Sequence, residues 1–260
     1  MQRLLALLLM LPIGLAHSAP VCDVESGPSR RVLIELFTSE GCSSCPPADK
    51  RLSQIPDDTL PADKAIALAL HVDYWDYIGW KDPYARSAFG ERHHWLVHAN
   101  HHFTFYTPHF FVSGTEVPDW RNDLVAEAER INRLPPRAGI RLRVAGSKPA
   151  VLNLDTVASS PDTSLPLGLF IAVTEDRLAS NVRQGENAGA TLHHDHVVRE
   201  WIGPLALTAG KVKDHRALLL DSRWDRQQLG VVAFVQNVNS GEVLQALSAG
   251  HCLDAAIPGK

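Results

Sequence analysis

The 260-residue chain has only four cysteines, and no second C-x-x-C accompanies the pair at Cys42 and Cys45. A four-sulfur zinc site is thereby disfavoured, and a chain of this length needs no disulfide framework to rescue a small core. Basic residues are also scarce, with 25 Lys and Arg against 29 Asp and Glu. Without a basic excess or patch, nucleic acid is excluded as a partner. Past residue 18 no apolar run has the length of a bilayer-crossing helix, so the mature chain is expected to carry no transmembrane anchor. Internal repeats and low-complexity segments are absent as well.

What is present begins with a leader. Met1, Gln2 and Arg3 precede an almost wholly apolar run to Leu15, and Ala16-His17-Ser18-Ala19 offers the small residues of a cleavage site. Residues 1–18 are therefore expected to be a signal peptide, which places the protein in the periplasm or outside the cell. Its removal takes away one arginine and no acid, leaving 242 residues with a net charge of −5. An oxidising compartment lets four cysteines pair in three ways. Spacing favours Cys42 with Cys45, which leaves Cys22 and Cys252, each near a mature terminus, for a structural disulfide that fastens an N-terminal arm.

The chain is organised around residues 32–47. Residues 32–37 are a short apolar run suited to a strand buried on both faces of a parallel sheet. Cys42 and Cys45 follow a turn, and Pro46 and Pro47 fit the first turn of a helix, where a missing N–H costs little. A helix N-terminus favours a thiolate, the form that attacks disulfides, so Cys42 is expected to be the more exposed, attacking sulfur and Cys45 the resolving one. An oxidised, inert bridge and half of a zinc site are the competing readings of the same pair.

A helix is expected to run to about Ile55, and residues 65–72 form the next strand, giving a right-handed βαβ unit. The segment from His71 to Pro83 lies past that strand on the edge that carries the cysteines, and its aromatics and acids, among them Asp73 and Trp75, read as a site wall. Residues 85–100 read as a His-rich helix whose histidines form a solvated polar face. Residues 105–112 lead into a turn at Gly114, and residues 119–133 form a further helix. Leu134-Pro135-Pro136-Arg137 marks a boundary between a domain at residues 28–135 and a β-rich domain at residues 138–252. In the latter, alternating runs near residues 140–144, 150–154, 167–173, 217–220, 230–238 and 243–247 predict an antiparallel β-sandwich. Gln184 to Gly189 suits a tight hairpin, and His193, His194 and His196 beyond it lack an evident fourth ligand, so no metal site is assigned there. Residues 22–30 read as an irregular arm.

Taken together, Glu35-Leu36-Phe37-Thr38-Ser39, the run from Gly41 to Asp49, His71 to Asp82 and Tyr106-Thr107-Pro108 resemble a family of secreted bacterial proteins, DUF1223, in the thioredoxin-like superfamily. The resemblance continues through Gly185-Glu186-Asn187-Ala188-Gly189 and Val197-Val198-Arg199. Many members carry Gln after the Thr-Pro pair, where this chain has His109. The resemblance implies a thioredoxin-like N-terminal domain, a cis Thr107–Pro108 bond facing the cysteines, and a buried acid behind the resolving cysteine, a place that Glu35 approaches. It supplies no substrate.

These readings give a thiol–disulfide oxidoreductase or redox-linked protein. It would need no diffusible cofactor, and its partners would be protein thiols or disulfides and an electron-transfer partner. The alternative is a non-catalytic secreted binding protein, for a partner protein or a metal, built on the same scaffold.

Overall fold

The protein is described from a computed structural model, over residues 21–55, 60–148 and 150–250. Two apolar runs form its centre. Strand β2 (Val32–Thr38) and strand β3 (Ala65–His71) lie parallel, residue for residue from Val32 opposite Ala65 to Thr38 opposite His71, and every side chain on both is buried. Helix α1 (Pro46–Gln54) connects them, as the βαβ reading requires. Strand β4 (His109–Val112) pairs antiparallel on the other side of β2 and turns into the short β5 (Thr115–Glu116). The side chains of β2 alternate across the sheet. Val32, Ile34 and Leu36 pack with Leu52 of α1 and with Leu124 and Ile131 of helix α3 (Trp120–Asn132). Leu33 and Phe37 face helix α2 (Ser87–Ala99) on the opposite side. This is a thioredoxin-like arrangement, followed by a β-rich region.

The β-rich region joins the same sheet. An eight-stranded sheet runs β14-β13-β8-β11-β3-β2-β4-β5, in which β8 is Leu167–Glu175, β11 is Val197–Ala206, β13 is Leu229–Asn237 and β14 is Val243–Ser248. The link between the halves is short: β11 runs parallel to β3 at Val197 opposite Ala69, and the Ala69 N–H donates to the His196 carbonyl at 2.9 Å. A four-stranded sheet packs over one face of the β-rich part, in the order β1-β6-β7-β12 with β1 at Val21–Glu25, β6 at Gly139–Lys148, β7 at Val151–Ser159 and β12 at Lys211–Leu219. Leu142, Val144 and Leu154 there meet Leu169, Ile171, Val231 and Ala233 of the large sheet, which is the expected sandwich core. Strands β9 (Leu178–Asn181) and β10 (Thr191–His194) form a separate hairpin.

Two sequence expectations are corrected here. The arm at residues 22–30 begins as strand β1, paired with β6 from Val21 opposite Ala145 to Glu25 opposite Arg141. The His-rich helix is not solvated throughout: His93 is fully buried and stacks on Phe37 at 4.4 Å between ring centroids. The expected partner of Cys22, Cys252, lies outside the described residues, as does the leader. No helix among the described residues is long and apolar enough to cross a membrane.

The halves also meet at their turns. Gly114 sits at φ +89°, and a Cβ there would lie 1.8 Å from the Gly241 carbonyl oxygen in the turn between β13 and β14. Only glycine fits both the left-handed backbone and that approach. The Val243 N–H donates to the Ser113 carbonyl at 3.0 Å beside it.

Candidate functional site

Strand β2 delivers the chain to a turn at Ser39 to Gly41, and the cysteines follow at the start of α1. Cys45 is the N-cap, with Pro46 and Pro47 opening the helix, and the N–H groups of Ala48 and Asp49 both donate to the Cys45 carbonyl. Cys42 and Cys45 form a disulfide with their Cα atoms 5.4 Å apart. The Thr107–Pro108 bond is cis, as the resemblance implied, and it brings the Thr107 carbonyl oxygen to 3.6 Å from Cys42 Sγ. An oxidised sulfur has no proton to donate there, but a Cys42 thiol would. Trp75 Nε1 donates to Thr107 Oγ1 at 2.7 Å, so the wall after β3 fixes the cis-proline loop from behind. Cys42, Cys45, Trp75, Thr107 and Pro108 thus converge on one sheet edge.

The bridge is shut. Relative exposure is 1% at Cys42 and 0% at Cys45, so both sulfurs are buried in the oxidised protein. Part of the cover comes from the β9–β10 hairpin, 140 and more residues further along the chain. Asn187 Nδ2 donates to the carbonyls of Glu40 at 2.8 Å and Cys42 at 3.0 Å, and Glu186 accepts from the Ser43 N–H at 2.9 Å. Hydrogen bonds from the Ser43 side chain and from its N–H hold the Glu186 carboxyl below the ordinary carboxylate range. Gly185 packs so closely on Ile78 that a Cβ would stand 3.0 Å from its Cδ1. Residues 184–189 are therefore a strap across the C-x-x-C backbone.

Behind the bridge lies a buried polar cluster. His71 Nδ1 and Asp82 Oδ2 are 2.7 Å apart, and Asp82 also accepts the N–H groups of Glu40 and Tyr84. His194 Nε2 meets Glu40 Oε1 at 3.0 Å, and Glu40 Oε2 takes the Trp80 indole N–H at 2.8 Å. The two imidazoles stand edge to face, 4.8 Å between centroids. Asp49, on α1, lies 4.0 Å from His194 Nδ1. Asp49 Oδ1, His71 Nε2 and His194 Nδ1 are buried without a hydrogen-bond partner among the described residues. Burial raises the Asp49 carboxyl, with His194 and His71 pulling the other way. Burial would lower His71, but the charge and hydrogen bond of Asp82 outweigh it and raise it. The same pairing lowers Asp82 against its own burial, so His71 and Asp82 form an ion pair.

Glu35 is corrected. It shares the α2 face with Leu33 and Phe37, across the sheet from α1, and is not behind Cys45. Its two oxygens accept from Arg92 Nε at 2.6 Å and Nη2 at 2.9 Å. Arg92 also donates to Gln236 of β13 at 3.1 Å and lies over the rings of Trp201 and Phe170. This pair is a lock between α2, β2 and β13. Asp73 stands apart from the sulfurs as well, with its Oδ1 close against Gly90 of α2.

A second polar chain runs through the α2 layer. Tyr74 OH meets His93 Nδ1 at 3.2 Å, His93 Nε2 meets His109 Nδ1 at 2.8 Å, and His109 Nε2 meets Glu116 at 2.9 Å. Burial, then the charges of His109 and His94, push His93 down to about 3, so it is neutral at ordinary pH. Beside it the surface is aromatic and open, with Phe103 83% and Tyr77 82% exposed and Phe105 and Tyr106 partly so. Tyr77 stacks beside Trp75, and Phe105 meets Tyr74 edge to face. The histidines after the hairpin do not converge: His193 is exposed, His194 turns inward to Glu40, and the His196 N–H donates to Asp176. Among the described residues no group of three or more His, Cys, Asp or Glu is disposed to hold a metal ion.

Sequence reasoning missed the strap contacts and the roles of Glu40, Asp49 and His194. Only Asp49 left a local signal, its spacing of four from Cys45.

Solved structures share this architecture. Protein AGR_C_4864 from Agrobacterium tumefaciens aligns at a TM-score of 0.59 and 21% identity, covering 86% of this chain and 95% of that one. HBP35 of Porphyromonas gingivalis aligns at 0.65 and 17%, covering 86% and 76%. At such identities the likeness is one of fold. None of the curated proteins matches the chain. The model of a family described as of unknown function matches residues 33–236, and the chain belongs to that family, DUF1223.

Proposed function

We propose that this protein is an exported binding protein on a thioredoxin-like scaffold, which holds an extended, apolar polypeptide segment at the aromatic rim beside a closed Cys42–Cys45 bridge. The observation that carries this is a contrast on one edge of the sheet. Both sulfurs are sealed, while Tyr77, stacked beside Trp75 of the site wall, and Tyr106, next to Thr107, are exposed, as are Phe103 and Phe105 earlier in the same loop. Clustered exposed aromatics are an unusual cost on a soluble surface and supply large contact area with little loss of side-chain freedom on binding. The leader at residues 1–18 supports export, and an oxidising compartment keeps such a bridge closed. A labelled apolar peptide titrated into oxidised full-length protein tests the reading. Saturable binding that weakens at least tenfold in Tyr77→Ala with Phe105→Ala is expected, and no binding, or binding indifferent to both changes, would overturn it.

A second reading, thiol–disulfide exchange, is favoured by one observation: the cis Thr107–Pro108 loop offers its carbonyl to Cys42 Sγ. In that reading the strap must first lift. Cys42 then attacks a substrate disulfide and Cys45 displaces the product from the mixed disulfide.

A further inference from the structure

The interior beyond the bridge holds polar atoms that the described residues do not satisfy. His71 Nε2, His194 Nδ1 and Asp49 Oδ1 have no hydrogen-bond partner among them, and these residues are 0%, 2% and 6% exposed. Buried polar side chains are nearly always paired, so three orphans in one place point to something else that meets them. They face one another. Asp49 Oδ2 stands 4.0 Å from His194 Nδ1, the two imidazoles lie edge to face, and the charges of both act on the Asp49 carboxyl.

The other nitrogen of each ring is held. Asp82 takes His71 Nδ1 at 2.7 Å and Glu40 takes His194 Nε2 at 3.0 Å. Both carboxylates are fixed in turn, Asp82 by the N–H groups of Glu40 and Tyr84, and Glu40 by the Trp80 indole. An imidazole pinned by a carboxylate at one nitrogen and bare at the other is the arrangement of a metal-ligating histidine. With its Nε2 proton directed to Glu40, a neutral His194 turns the lone pair of Nδ1 toward a carboxyl, acceptor against acceptor. A cation between them satisfies both.

We propose that Asp49, His71 and His194 form a binding site for one divalent cation of the zinc class, with Asp82 and Glu40 orienting the two imidazoles. Two ring nitrogens and a carboxylate suit zinc or a neighbouring first-row ion, whereas magnesium and calcium take oxygen ligands. Asp49 and His194 also line a cleft of about 330 Å³ between α1 and β10, beside Lys50 and Asp195, and this gives the ion a route from solvent. In the packing described, no three of these groups close on one point. Two tetrahedral ligands at about 2.1 Å from zinc lie about 3.4 Å apart, so Asp49 and His194, now at 4.0 Å, must approach by about 0.6 Å. A side-chain adjustment of that size draws the site closed on its ion. The ion sends any proton on His71 Nε2 to solvent, while the Nδ1 proton stays toward Asp82. No sulfur takes part, and the site does not depend on the binding reading of the aromatic rim.

Zinc titrated calorimetrically into chelator-treated, untagged, oxidised full-length protein tests this. One ion per chain is expected. Asp49→Asn and His194→Gln should each remove that complex, and Glu40→Gln should weaken it about 10- to 100-fold. His98→Ala with His101→Ala, exposed at the end of α2, should leave it intact. The wild-type protein supplies a second readout that needs no variant to fold: on addition of zinc the NMR signals of His71 Nε2 and His194 Nδ1 should move, and those of the exposed histidines should not. Peptide binding at the rim should be the same with and without zinc, so failure of either reading leaves the other standing. The absence of a one-to-one complex, a complex whose shifts fall on exposed histidines alone, or one indifferent to Asp49→Asn and His194→Gln would overturn the proposal and leave the bare atoms to ordered water.

Discussion

Removing the strap's amide should open the bridge to reductant without unfolding the protein. Asn187 Nδ2 donates to the carbonyls of Glu40 and Cys42, and these two hydrogen bonds tie residues 184–189 to the loop that carries the disulfide. A net contribution of about 0.5–1.5 kcal/mol for each gives about 1–3 kcal/mol for Asn187→Ala. At about 1.4 kcal/mol per factor of ten, local opening becomes about 5- to 100-fold more frequent. If reductant reaches the sulfurs only through opened molecules, the rate rises by that factor. The assay is reduction of the native oxidised protein by excess water-soluble phosphine at fixed pH, quenched and counted as free thiols. Glu186→Gln should give a smaller increase, because it keeps an acceptor for the Ser43 N–H and loses only an exposed charge. An unchanged rate in a folded Asn187→Ala protein would show that the strap does not gate the bridge.

Glu35→Gln should act on stability. It leaves Arg92 buried with its charge uncompensated, which costs about 3–5 kcal/mol and lowers Tm by about 6–20 °C in a domain of this size, with thiol reactivity unchanged at permissive temperature. A stable Glu35→Gln protein with altered thiol titration would reverse the assignment. The His71–Asp82 pair predicts a pH window. His71 is raised from its ordinary 6.5, so its contribution is complete below that value and is lost as pH climbs through the folded value. Asp82 is lowered from 3.8, so its contribution is present above that value and is lost as pH falls through the folded one. The stability advantage of wild type over His71→Gln in urea should therefore be greatest between about pH 4 and 6.5. A difference independent of pH from 4 to 9 would contradict the ion pair.

Most of the scaffold was legible because its signals are local. The apolar runs of β2 and β3, the prolines that open α1, and the Leu124, Ala128 and Ile131 spacing of α3 each announce an element within a few residues. Strands with charge on both faces were harder. Strand β12, Lys211–Leu219, is an edge strand of alternating exposure, and only its apolar end stands out in the sequence. Strand β11 carries Pro204 and two register shifts that interrupt its alternation. The chemistry was least legible where it depends on which face or which distant segment a residue meets. Glu35 was recognisable as a buried acid, but its partner Arg92 lies 57 residues away, on the face opposite the cysteines. His194 meets Glu40 across 154 residues, and Asn187 meets Cys42 across 145, through a hairpin whose place no local pattern encodes.

The reduction potential of the Cys42–Cys45 pair, measured by equilibrating the full-length protein in thiol–disulfide buffers, tests the central claim most directly. A closed bridge in a binding protein should remain oxidised to below about −300 mV, where structural disulfides of exported proteins fall. A value between about −120 and −270 mV, the range of oxidoreductases, would contradict the account and restore exchange chemistry as the function.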